Sequence, residues 1–133
     1  MSNSDSDSKK YLNLDGLKTF WSKIKLILDD INSYLDFLKS TNVLTSLSRI
    51  SPNTRLYIAD ITTNQSLSFA SKPDAGRDIH IIIRNVSLND LTITMPVSTD
   101  AVLLCDPNYT LNPNEYLEVN VISDGSIMYF RVA

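Results

Sequence analysis

The sequence predicts an α+β chain: an N-terminal coiled-coil-like helix followed by a small antiparallel β-sandwich of jelly-roll-like type. Three observations predict it. Large apolar residues recur at alternating intervals of three and four from Leu14 to Leu38, the spacing of one helix face. From Arg55 onward the apolar period drops to two, the spacing of half-buried strands. Short clusters of Pro, Gly, Asn and Asp separate the alternating runs. The 133 residues allow one ordinary domain, or a small one with an appended helix, and 43% hydrophobic against 20% charged residues make a globular composition.

Residues 1–10, "MSNSDSDSKK", form a polar arm. It cannot bury enough apolar surface to offset the entropy of ordering, so it is either disordered or held by a partner. Its polar, partly acidic character is unlike an export signal. The expectation is therefore a chain made in a cell's cytoplasm, or built into a particle there.

Residues 11–45 are expected to form one helical segment. Asn13 is a candidate N-cap, and Asp15 then sits in the first turn, where negative charge favours the helix dipole. Leu14, Trp21, Leu28 and Leu35 occupy the a positions of a heptad, and Leu17, Ile24, Ile31 and Leu38 the d positions. Such a rod would be about 45 Å long. The e positions carry Lys18, Lys25, Asn32 and Lys39, whereas the g positions carry Phe20, Ile27 and Tyr34. The apolar stripe is thus three positions wide, and a two-stranded coil would leave the g residues wet. Leucine at a with isoleucine at d also favours trimers or tetramers over dimers. Two arrangements satisfy the stripe: a homo-oligomeric bundle, with a trimer expected, or packing against a β-surface of this chain or a partner. A free helix in water does not satisfy it, because the stability of a helix comes mostly from burying such a face.

Residues 46–54 form a joint punctuated by Pro52 and Asn53, and residues 55–133 the β-domain. "RLYIADI" and "SLSFA" are expected strands, and "SKPDAGR" a turn with Gly76 supplying freedom. "DIHIIIRN" alternates with Ile79, Ile81 and Ile83 on one face. "LTITMP" places Leu91, Ile93 and Met95 together. "AVLLC" reads as a short buried strand, with a further short strand at 109–111 inside the following loop. "YLEVNVI" turns Leu117, Val119 and Val121 inward and Glu118 and Asn120 outward. Asp124-Gly125 is a hairpin turn before "IMYFRVA". A domain of this size buries a modest core, which association through the helix would supplement.

Few residues suggest chemistry. His80 is the single histidine and Cys105 the single cysteine, so no intrachain disulfide forms. His80 reads as a sheet-face side chain, and Cys105, with no neighbouring cation in sequence, as a small hydrophobe. Asp29 and Asp30 diverge on the helix surface, and "SDSDS" lacks the spacing of a calcium loop. Three glycines in all leave no phosphate-binding loop. Neither catalytic residues, a cofactor nor a metal site is expected. Sequons at Asn64, Asn85 and Asn108 read as chance. A formal charge of −3 argues against nucleic acid as a partner, and no apolar run approaches the ~18 residues that cross a bilayer. The expected self-association residues are Leu14, Leu17, Phe20, Trp21, Ile24, Ile27, Leu28, Ile31, Tyr34, Leu35 and Leu38. The expected ligand or partner loop holds Asn108, Tyr109, Asn112 and Asn114, near aromatics that could stack on a sugar.

The stretch "YLNLDGLKTFWSKIK" resembles the opening of small virion proteins from phages of gut bacteria. "DIHIIIRN", "LTITMP" and "NEYLEVNVISDGSIMYFRVA" are similar to the small β-sandwich of head-fibre and related appendage proteins of crAss-like phages. Together these stretches cover most of the chain. The resemblance implies a trimeric, non-enzymatic virion component, a head fibre or fibre anchor, whose partners are its own copies and capsid or fibre subunits. The alternative is a carbohydrate-binding, receptor-recognition module of a tail or baseplate appendage, with a host-surface glycan as ligand.

Overall fold

Among the described residues one helix precedes nine strands, and the chain divides between Asp36 and Phe37 into two compact units. The computed structural model describes residues 14–133. The polar arm at 1–10, the expected helix start at 11–13 and the Asn13 cap lie outside the described residues.

Helix α1 spans Leu14–Lys39, with Asp15 in its first turn and Lys39 in its last, both matched to the helix dipole. The Thr19 hydroxyl donates to the Asp15 carbonyl at 3.0 Å. The helix stops six residues short of the expected end at 45. Ser40 closes it: its amide and its hydroxyl both donate to the Phe37 carbonyl, at 3.0 and 2.5 Å. Beyond Ser40 the next a and d positions are Asn42 and Thr45, so the stripe has nothing further to bury. Thr41 and Val43 favour extended backbone, and Thr41–Leu44 forms strand β1 instead. The last turn of α1 belongs to the second unit. Phe37 is buried there beneath the Arg77 guanidinium, 4.4 Å from its ring centre, and Leu38 packs against the β-core.

After β1 come β2 (Leu56–Ile61), β3 (Gln65–Ser66), β4 (Asp78–Asn85), β5 (Leu91–Thr94), β6 (Ala101–Leu103), β7 (Asn108–Leu111), β8 (Tyr116–Ser123) and β9 (Met128–Val132). Six of them form one sheet in the order β1-β2-β4-β8-β9-β6, and three form a second in the order β3-β5-β7. The expected antiparallel, jelly-roll-like sandwich is corrected here. Both sheets are mixed: β1 with β2, β2 with β4, β3 with β5 and β6 with β9 are parallel. The cause is the winding of the chain. From β2 to β8 it passes to the other sheet at every step, so successive strands within a sheet are joined by crossovers rather than hairpins. The arrangement is solenoid-like. Among the described residues, only β8 and β9 form a hairpin between neighbours in sequence, at Ser123↔Met128.

The inward rows are those the alternation predicts. Ile79, Ile81 and Ile83 of β4, Val119 and Val121 of β8, Ile93 of β5 and Phe130 of β9 are fully buried and share one core drawn from both sheets. The joint at 46–54 is part of that core. Leu47 and Ile50 are buried, and the segment is tied to residues 68–70 by the bonds Ser68 N–H to Leu47 O, Ile50 N–H to Ser68 O and Ala70 N–H to Ile50 O. Of the stretch "SLSFA", expected as a full strand, only Ser66 lies in the two-residue β3, and this irregular tie follows.

Asn85 is the buried polar pin between the sheets. Its side-chain amide donates to the Asn89 and Leu111 carbonyls at 2.7 and 2.9 Å, and its oxygen accepts from the Ser87 amide and hydroxyl. A second pin ties the 73–76 turn to the β8–β9 hairpin. The Ser123 hydroxyl donates to the Pro73 carbonyl at 2.7 Å and accepts from Gly125 N–H at 3.0 Å. Gly125 holds φ near 92°, and a Cβ there would lie 3.2 Å from that of Ala75, so both conformation and space require glycine.

Candidate functional site

The helix carries the larger candidate surface. In residues 14–36 the a, d and g side chains stand out from the backbone on one face, as the heptad demands. Leu14, Leu17, Phe20, Trp21, Ile27, Leu28, Ile31, Tyr34 and Leu35 are 43–67% exposed, and Ile24 is half-buried. Trp21, Ile24, Leu28 and the stem of Lys25 line a shallow, almost wholly apolar groove along this face. Leu38 differs from the rest of the predicted stripe, because it belongs to the β-core. Leu26, at 65% exposure, is an apolar side chain at an f position and lies off the stripe.

The β-unit carries a second surface that the sequence reading missed. The outward rows of β2, β4 and β8 bring Ile58, Ile82 and Tyr116 together around the ion pair of Arg84 and Asp60. That pair is bidentate, with Arg84 Nε and a terminal nitrogen donating to the two Asp60 oxygens at 3.1 and 3.0 Å. The Tyr116 ring is 71% exposed. The five residues line an open cleft with mostly apolar walls. The signal was present in "DIHIIIRN". Strict alternation puts Ile82 on the face opposite Ile81 and Ile83, where a polar residue belongs if that face meets water alone.

The predicted loop spans β7 and the turn that follows it. Tyr109 is half-buried against the core, and its hydroxyl accepts from Asp106 N–H at 2.9 Å. Burial raises its pKa, opposed by the hydrogen bond from the Asp106 amide. Asn112 gives its backbone and side-chain N–H groups to the Glu115 carboxylate, at 3.1 and 2.9 Å. Asn114 holds the left-handed conformation of the turn, φ 65°. Asn114 N–H donates to the Asn85 carbonyl of β4 at 2.8 Å, and Asn108, Asn112 and Asn114 are all exposed.

His80 lies on the outer face of β4 between two carboxylates, its Nε2 3.3 Å from Asp78 and its Nδ1 3.8 Å from Glu118. Asn120, expected outward, is on that face by register but only 6% exposed, and its side-chain oxygen has no hydrogen-bond partner. Cys105 is half-buried. Burial pushes its thiol up, opposed by a hydrogen bond from Tyr109, and the nearby Asp106 carboxylate pushes it further up. A thiol held protonated in this way is a poor nucleophile. Of the sequons, Asn85 is wholly buried and its side chain fully bonded, so it offers no acceptor. Among the described residues no group of three or more His, Cys, Asp or Glu side chains could hold a metal ion, and no helix is long and apolar enough to cross a membrane.

No family model, curated protein or solved structure is significantly similar to the chain.

Proposed function

We propose that this protein is a non-enzymatic structural subunit of a phage virion, a trimeric head fibre or fibre anchor that assembles through α1. One observation carries the reading: ten apolar side chains in g–a–d register over residues 14–36, nine of them 43–67% exposed in a single chain. Contiguous apolar faces of this kind mark protein–protein contact. The stripe is too wide for two strands, and leucine at a with isoleucine at d selects higher order. The β-unit, two sheets on one core, then serves as the small sandwich-like head that meets capsid or fibre subunits. The likeness of the leading stretch to small virion proteins of phages of gut bacteria supports the virion as its location. Nucleic acid and membrane have no part in this role. Sedimentation equilibrium at micromolar concentration tests it. A trimer is expected, and a monodisperse monomer overturns the reading.

A specific observation also favours a second reading, a carbohydrate-binding module. An exposed tyrosine ring beside a fixed carboxylate–guanidinium pair is the combination a sugar needs: an apolar face to stack on and a polar edge for its hydroxyls. This reading moves the ligand site from the Asn108–Asn114 loop to Tyr116, Asp60 and Arg84. Glycan-array binding that Tyr116→Ala abolishes and Tyr109→Ala leaves intact supports it; the reverse result returns the site to the loop.

A further inference from the structure

The flanks of the helical stripe carry information beyond self-association. Three of the four e positions are lysines, Lys18, Lys25 and Lys39, and all three are exposed. The g positions are Phe20, Ile27 and Tyr34. Helices that associate antiparallel pair e with e and g with g. That would set lysine flank against lysine flank at each contact, and like charges so placed repel. Helices that associate parallel and in register pair each g residue with the e residue five positions later in the next chain.

The parallel pairing sorts the side chains by chemistry. Phe20 meets Lys25 of the next copy, and Tyr34 meets Lys39. Ile27, the one aliphatic g residue, meets Asn32, the one uncharged e residue. Each aromatic ring thus receives an ammonium group, and each lysine stem covers apolar surface at the rim. The g residue facing Lys18 falls at position 13, outside the described residues. Phe20, 53% exposed in one chain, has room to accept such a neighbour.

We infer that the copies associate parallel and in register, with Lys25 and Lys39 of each helix laid over the Phe20 and Tyr34 rings of the next. This rests on the self-assembly proposed above, and the test separates the two. In full-length protein with Cys105→Ser, a single cysteine is introduced as Leu17→Cys in one preparation and Leu35→Cys in another. Each is checked for association by sedimentation and then oxidised alone and as a mixture refolded together. Parallel helices give 17–17 and 35–35 disulfides and at least tenfold less of the 17–35 product. A predominant 17–35 product in a protein that sediments as an oligomer overturns the parallel inference and leaves self-assembly standing. A monomeric Cys105→Ser parent overturns both. If Leu17→Cys itself weakens association, Leu14→Cys in the first turn replaces it with the same expected pattern. A second measurement bears on the rim contacts. Phe20→Leu keeps the apolar g position and removes the ring, so it should weaken association several-fold, while Leu26→Ala, at an f position off the stripe, should leave it within twofold. Equal effects of the two overturn the ring–lysine pairing.

Discussion

The two units use the same apolar residue types in opposite ways. In residues 37–133 isoleucine, valine and leucine line up at period two and vanish from solvent: Ile79, Ile81, Ile83, Val119 and Val121 are fully buried. In residues 14–36 they line up at period 3.5 and remain in contact with water, Trp21 and Leu14 by two thirds of their surface. A sheet pair can hide its apolar faces within one chain, because each sheet is the other's cover. A single helix has no second layer of its own. On the self-assembly proposed above, neighbouring copies supply that layer for the first unit.

The sharpest way to break this comparison is to place a charge in each unit. Ile81→Asp buries a carboxylate at the centre of the β-core with no partner, which costs roughly 4–5 kcal/mol or more and should abolish the cooperative thermal transition. Ile31→Asp puts the same charge on the helix stripe. It should convert the proposed trimer to monomer in sedimentation and reduce the helical signal at 222 nm, with the strand spectrum retained at 25 °C. An Ile31→Asp protein that remains oligomeric would mean the stripe is not the contact.

How much of this was legible in the sequence follows from the range of each signal. The helix and its wide stripe were readable because period 3.5 is a local property of the chain. Its end at Lys39 was readable too, since the register fails at Asn42 and Thr45, but the absence of proline before Pro52 drew the expectation onward. Most of the longer strands were found from alternation, and their inward faces with them, but β1 was expected as helix, and in "AVLLC", expected as buried, Val102 and Leu104 are exposed. The strands' partners were not found, because period two is the same whether a strand meets its neighbour parallel or antiparallel. The crossovers that make β1, β2 and β4 parallel leave no mark in any one strand. Leu47 and Ile50 were missed as core because an irregular buried segment has no period at all. The Tyr116 surface was half-visible, in the outward Ile58 and Ile82, but only the register shows that Asp60 and Arg84 close on the same spot.

A smaller effect sharpens the claim that the β-unit is self-sufficient. Asn85 satisfies two carbonyls and a serine's two donors from one buried side chain. Asn85→Ala leaves those groups without partners and should cost about 2–4 kcal/mol, read as a lower denaturant midpoint with an unchanged slope. The loss should appear equally in protein already made monomeric by Ile31→Asp, because no step of the Asn85 network passes through a neighbouring copy. If Asn85→Ala is neutral in that background, the β-unit draws its stability from association after all.

The smallest effect concerns acid. Asp124 accepts from the Ile127 and Ser126 amides at 2.7 and 2.8 Å in the β8–β9 turn, and these bonds hold its carboxyl below the ordinary value of 3.8. The unfolded chain therefore takes up this proton at higher pH than the folded one. Its contribution to stability is fully present above the unfolded value and is lost as pH falls through the lower folded one. Asp124→Asn retains an oxygen that can accept the turn's hydrogen bonds but cannot titrate. It should be slightly less stable than the parent at pH 6, and the gap should close as pH is lowered below about 3.8. Thermal midpoints across that range measure it. Because the carboxylate is on the surface, the difference should be small beside those at Ile81 and Asn85. Since the bonds are local to one hairpin, the gap should have the same size in trimer and monomer. A gap that widens on acidification would mean the folded turn, not the unfolded chain, takes up the proton first.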